Sequence, residues 1–92
     1  MDPLTKLDRT RATLRVLLFI YEHEGTNLTN VIKGTPHAGQ KAIYSALETL
    51  LELGLVRQEF EKRVGGERRF FMTEKGKKVA ELLAKIRDIL SV

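Results

Sequence analysis

Cysteine is absent from this 92-residue sequence, so neither a disulfide nor a thiolate metal site can hold the fold. A chain of this length makes one domain with a modest core and leaves much of its surface in water. Without covalent or metal staples, burying more surface between two copies is a natural remedy. Asn and Gln are scarce, four in all (Asn27, Asn30, Gln40, Gln58), a sparing use met in heat-adapted proteins. Long apolar runs are missing too. The densest, Val16 to Tyr21 (VLLFIY), is far too short to cross a bilayer. The first residues, MDPLTKLDRTR, carry an acid at position two and no uninterrupted apolar core, so they do not read as a secretory leader. These absences predict a soluble, cytoplasmic protein with one domain over residues 1–92 and no membrane partner.

What is present is a globular composition, 42% hydrophobic and 30% charged, with an uneven charge distribution. Residues 57–78 hold eight basic side chains against four acidic ones, and the rest of the chain holds eight of each. The whole formal charge of +4 therefore belongs to that one segment. A concentrated basic patch favours nucleic acid or an anionic surface.

Asp2-Pro3 is a helix-start signal, a capping side chain followed by a proline at the first helical position. Leu4, Leu7, Leu14, Leu18 and Tyr21 then recur at helical spacing as far as Gly25. They fit either one helix over about 3–23 or a short N-terminal turn with a helix from Thr10. After an isolated Leu28, Thr29 can cap a short helix carrying Val31 and Ile32 that closes at Gly34. Thr35-Pro36 opens a third helix over about 36–53, with Ile43, Leu47, Leu50 and Leu51 on one face, Ala46 and Leu53 beside it, and Gly54 as its stop. Lys41, Tyr44, Ser45, Glu48 and Glu52 fall on the other side. Thr73 can cap a last helix over about 74–90, whose stripe is Val79, Leu82, Leu83, Ile86, Ile89 and Leu90. The stripe runs further than a helix lying on a small core needs, and a homodimer seam would use it.

Between these helices the period changes to two. Val56, Gln58 and Phe60 share a face, as do Phe70 and Met72. A three-residue loop, Val64-Gly65-Gly66, pairs Phe60 with Phe70, Gln58 with Met72 and Glu61 with Arg69, which keeps core and solvent faces coherent. It also sets Lys62 opposite Arg68, a like-charge pair costing roughly 0.2–1 kcal/mol.

The stretches IYSALETLLELGLVRQ (43–58) and GGERRFFMTEKGKKV (65–79) resemble a winged-helix DNA-binding domain of the MarR/PadR-like transcription-regulator kind. They also resemble the small archaeal winged-helix proteins of viruses, plasmids and their hosts. The resemblance covers about 14–80. It implies an α+β, mainly α fold: a winged helix-turn-helix with a three-helix core, a β-hairpin wing over about 56–73 and a C-terminal helix. It implies a sequence-specific regulator of double-stranded DNA acting as a homodimer. The third helix would enter the major groove with Gln40, Lys41, Tyr44 and Ser45. The wing would lie on a minor groove or the backbone with Lys62, Arg63, Arg68 and Arg69. The residues agree on their own terms: short polar groups on a helix suit base edges, and a cation-tipped hairpin suits phosphates.

Other chemistry finds no footing. Glu22, His23 and Glu24 offer metal-type ligands, but neighbours on a helix point apart, so no metal site is expected. VGGER lies between two strands, whereas a phosphate-cradling loop follows a strand and opens a helix. No catalytic set converges, so the chain is read as a non-enzyme without cofactors. A small-molecule effector is left unspecified. An alternative reading stays open, a protein-interaction or architectural winged-helix module of transcription or replication machinery that binds DNA non-specifically or not at all.

Overall fold

The computed structural model describes residues 2–8, 12–62 and 66–92. Asp2 Oδ1 accepts a hydrogen bond from the Leu4 amide at 2.9 Å, and Pro3 stands at the first position of α1 (Pro3–Leu7). The helix stops at Asp8, and α2 (Thr13–Glu22) is a separate element. Of the two readings of the N-terminal segment, the interrupted one is found, with the second helix beginning at Thr13; Thr10 lies outside the described residues. In α2, Thr13, Val16, Leu17 and Ile20 are buried, which makes it the central helix.

Gly25, at φ +87°, turns the chain into a two-residue strand β1 (Thr26–Asn27) and then α3 (Leu28–Gly34). The cap of α3 is Asn27, whose Oδ1 accepts from the Asn30 amide at 2.8 Å, and not Thr29. The side chain one position before the apolar residue Leu28 thus does the capping, and Leu28 itself begins the helix. The next helix also starts later than its sequence suggests. The Ala38 amide donates to the Thr35 carbonyl at 3.1 Å, placing Pro36 at the favoured second position of a turn. Helix α4 (Gln40–Glu52) then begins after Gly39.

α4 ends in a glycine motif. The Leu55 amide donates to the Leu50 carbonyl at 3.0 Å, the Gly54 amide to the Leu51 carbonyl at 3.1 Å, and Gly54 takes φ +71°. Strands β2 (Val56–Phe60) and β3 (Arg68–Met72) follow, then α5 (Glu74–Leu90). The sheet is antiparallel in the order β1-β3-β2, so β3 is central. Because β1 is so short, the Glu24 carboxylate takes over beyond it, accepting from the Met72 amide at 3.1 Å.

The hairpin register differs from the expected one by two residues. Val56 pairs with Met72, Gln58 with Phe70, Glu59 with Arg69 and Phe60 with Arg68. Face assignment survives, since a shift of two preserves parity. The pairing does not: Phe60 faces Arg68, Phe60 is not a core residue, and Lys62 does not stand opposite Arg68. The cause is the core. Val56, Phe70 and Met72 are buried together, and Phe60 then falls beyond the last buried pair, 66% exposed. The Glu61 amide still reaches the Glu67 carbonyl at 3.1 Å, so the loop is longer than three residues. The expected turn residues Val64 and Gly65 lie outside the described residues.

The start of α5 is bolted to the end of α4. Thr73 Oγ1 caps α5, accepting from the Gly76 amide at 2.9 Å, and lies 2.6 Å from the Gly54 carbonyl oxygen. Lys75 Nζ donates to the Leu53 carbonyl at 3.0 Å. A Cβ placed on Gly76 would sit 1.8 Å from the Leu55 carbonyl oxygen, so this contact admits glycine alone.

Candidate nucleic-acid interface

Helix α4 buries Ile43, Ala46, Leu47 and Leu50 almost completely, and Thr49 with them. The opposite side is left to solvent: Gln40, Lys41 and Glu48 are exposed, Tyr44 is 44% exposed, and Ser45 is half-buried. Lys41, Tyr44, Ser45 and Glu48 are spaced by three and four, so they share one face. The expected reading set is thus brought together on one helix. Its first member, Gln40, is the first residue of α4 and does not lie a turn inside it.

The wing has two unlike faces. On the face away from the core, Arg57 Nη1 pairs with Glu59 at 3.0 Å, and its guanidinium lies 4.6 Å from the centre of the Phe71 ring. Arg69 is enclosed by three acceptors: Glu61 Oε1 at 3.0 Å, Glu67 Oε2 at 2.9 Å and the Gly25 carbonyl at 2.9 Å. Its role is to tie β3 to the turn before β1, which sets it apart from the other wing cations. On the other face, Arg68 bonds to the Gln58 side chain and lies 5.0 Å from the centre of the Phe70 ring. Lys62 is exposed, and among the described residues neither it nor Arg68 is paired with a carboxylate. Arg63 lies outside the described residues.

The six residues of the C-terminal stripe divide. Val79 and Leu83 pack partly buried against the core, while Leu82 (60% exposed), Ile86 (52%), Ile89 (73%) and Leu90 (79%) lie open. α5 is thus anchored along its first half and bare along its second. Leu4 of α1, one of the residues at helical spacing, is 70% exposed and adds apolar surface of its own.

Glu22, His23 and Glu24 go three separate ways. Glu22 lies 3.7 Å from Arg87, His23 stacks on Phe19 with ring centroids 4.3 Å apart, and Glu24 holds the Met72 amide. No helix among the described residues is long and apolar enough to cross a membrane.

No protein-family model matches this chain, and no curated protein matches it by sequence. Solved structures do. The F-93 protein of the archaeal virus SSV1 is 27% identical over 86% of this chain and 88% of its own, with a TM-score of 0.73. A protein from Archaeoglobus fulgidus is 21% identical over 96% of this chain and 97% of its own, at 0.77. A Porphyromonas gingivalis protein assigned to the MarR family of transcriptional regulators is 16% identical over 91% of this chain and 81% of its own, at 0.76. The architecture these proteins share with the chain is the winged helix: mainly helical, with a small three-stranded antiparallel sheet. Within that fold, the chain is similar to MarR-family and SlyA-like regulators and to viral F-93.

Proposed function

We propose that this chain is a transcription regulator that binds specific double-stranded DNA as a homodimer, with α4 in the major groove and the β2–β3 wing on a minor groove or the backbone. The observation that carries the reading is the polar face of α4. A helix packed so completely on one side offers Lys41, Tyr44, Gln40 and Ser45 on the other, a set able to hydrogen-bond base edges and phosphates. Lys62 and Arg68 supply cations for phosphate from the wing, with Arg63 as a third by its place in the sequence.

Surface area supports two copies. The chain exposes 6328 Å², against about 5,400 Å² for a typical folded monomer of 10.5 kDa. The excess is close to the ~800 Å² that each partner buries in a standard interface. The exposed Leu82, Ile86, Ile89 and Leu90 give α5 the apolar surface for it.

The test is fluorescence anisotropy with the duplex upstream of the chain's own gene, with and without excess random duplex, alongside light scattering of the free protein. Retained binding against competitor and roughly twice the monomer mass are expected. Equal affinity for both duplexes would favour the architectural reading, and a monomeric protein would remove the dimer.

A further inference from the structure

The unlike faces of the wing point to a contact that charge alone does not require. All three carboxylates of the described hairpin, Glu59, Glu61 and Glu67, are bonded to Arg57 or Arg69 on the face away from the core. That face is close to neutral in itself. The other face carries Gln58, Phe60 and Arg68 and no acid. Near the body the same face packs against the helices, where Val56, Phe70 and Met72 are buried; towards the tip it runs out into solvent.

Phe60 stands where it does so, and at 66% exposed it is the barest aromatic among the described residues. Arg68 is directly across from it in register, and its guanidinium is steadied by the Gln58 side chain and the Phe70 ring. Lys62, exposed, follows two residues on. A single phenyl ring is too small a patch to seat a protein partner, since such interfaces need about 800 Å² a side. A ring with a cation across from it and another two residues on, and no acid on its face, instead complements a surface that is apolar inside and anionic at its edges. The minor groove of DNA is such a surface, with sugar and base edges walled by phosphates.

We propose that Phe60 enters the minor groove as an apolar wedge, between phosphates held by Lys62 and Arg68, and partly unstacks one base step. The proposal rests on the DNA-binding reading above. An apolar contact releases no counterion, whereas a lost phosphate contact lowers the slope of log affinity against log salt by about 0.9. The two roles therefore separate in one titration.

The experiment uses the full chain on its upstream duplex, carrying 2-aminopurine at successive minor-groove steps, over a range of salt. With wild type, fluorescence rises at one step per bound wing. Phe60→Ala weakens binding roughly 10- to 100-fold for each bound wing, the range that burying one Phe side chain supports, with the salt slope unchanged and the fluorescence rise lost. Phe60→Leu, still apolar, recovers part of both. Lys62→Ala lowers the slope by about 0.9 for each bound wing, about 1.8 for a dimer, and keeps the fluorescence rise. Thermal melts of the free variants should match wild type, since the ring is exposed. The wedge is overturned if wild type binds with no fluorescence change at any step, or if Phe60→Ala binds as wild type does. A Phe60→Ala variant that loses dimer mass before DNA is added would also overturn it, by seating the ring on a second copy. Should wild type fail to bind DNA at all, the regulator reading falls first, and the wedge with it.

Discussion

Helices α4 and α5 look alike as strings of residues, each a run of Leu and Ile at helical spacing, yet the molecule treats them oppositely. α4 hides its apolar side against the core and shows solvent a polar one. α5 hides Gly76, Val79, Ala80 and Leu83, then runs on with Ile86, Ile89 and Leu90 uncovered. An amphipathic stripe states that something must cover it, and only the depth of the core decides whether the covering comes from within the chain. The chemistry to test thus lies on the polar side of α4 and on the apolar side of α5.

The strongest way to break this contrast is to attack the two stripes separately. Leu50→Ala, in the sealed face of α4, should cost about 2–5 kcal/mol and lower the thermal midpoint of the free protein accordingly. Ile86→Glu, on the bare half of α5, should instead convert a dimer to a monomer in light scattering and leave the far-ultraviolet circular dichroism of the fold in place. Leu83→Glu should do both kinds of damage, because Leu83 is partly buried against the core. If Ile86→Glu lowers the thermal midpoint as Leu50→Ala does, the two helices are not different in kind.

A smaller effect sharpens the other side of α4. Lys41→Ala and Tyr44→Ala should each narrow the gap between specific and random duplex by ~1–3 kcal/mol, the usual worth of a base contact. Equal weakening on every sequence would assign both residues to the backbone. The smallest effect belongs to the root of α5. Thr73→Ala removes the cap on Gly76 and should cost about 1 kcal/mol in a denaturant melt, with dimer mass kept.

Much of this was legible in the sequence because the signals were local. The change of period from helix to strand, the glycine at position 54 and the Thr73 cap each act within a few residues. Lys41, Tyr44 and Ser45 on the polar side of α4 follow from spacing, while Gln40 comes from the resemblance. Most of what was not legible depended on distance. Two hairpin registers that differ by two residues put the same side chains on the same faces, so alternation could not choose between them; the burial of Val56 with Phe70 and Met72 did. Alternation therefore puts Phe60 with the core, and its exposure follows only from its partner across the sheet, Arg68. Likewise, β1 is two residues long and exists because β3 passes beside it. The start of α4 moved to Gln40 because Pro36 closes a turn with Thr35 and Ala38, which suits a proline as well as a helix start does.

On the proposed dimer, Gly76 would bear on the spacing of the two DNA half-sites. Its missing side chain lets the first turn of α5 press on the Leu55 carbonyl, while Lys75 and Thr73 grip the Leu53 and Gly54 carbonyls. The helix that would join two copies is thereby clamped, without slack, to the helix that would read the bases. In a dimer built on α5, the two α4 helices become the jaws of a caliper locked at one opening. Such an instrument accepts half-sites one helical turn, about 10 base pairs, or a whole multiple apart, and refuses a spacing changed by half a turn.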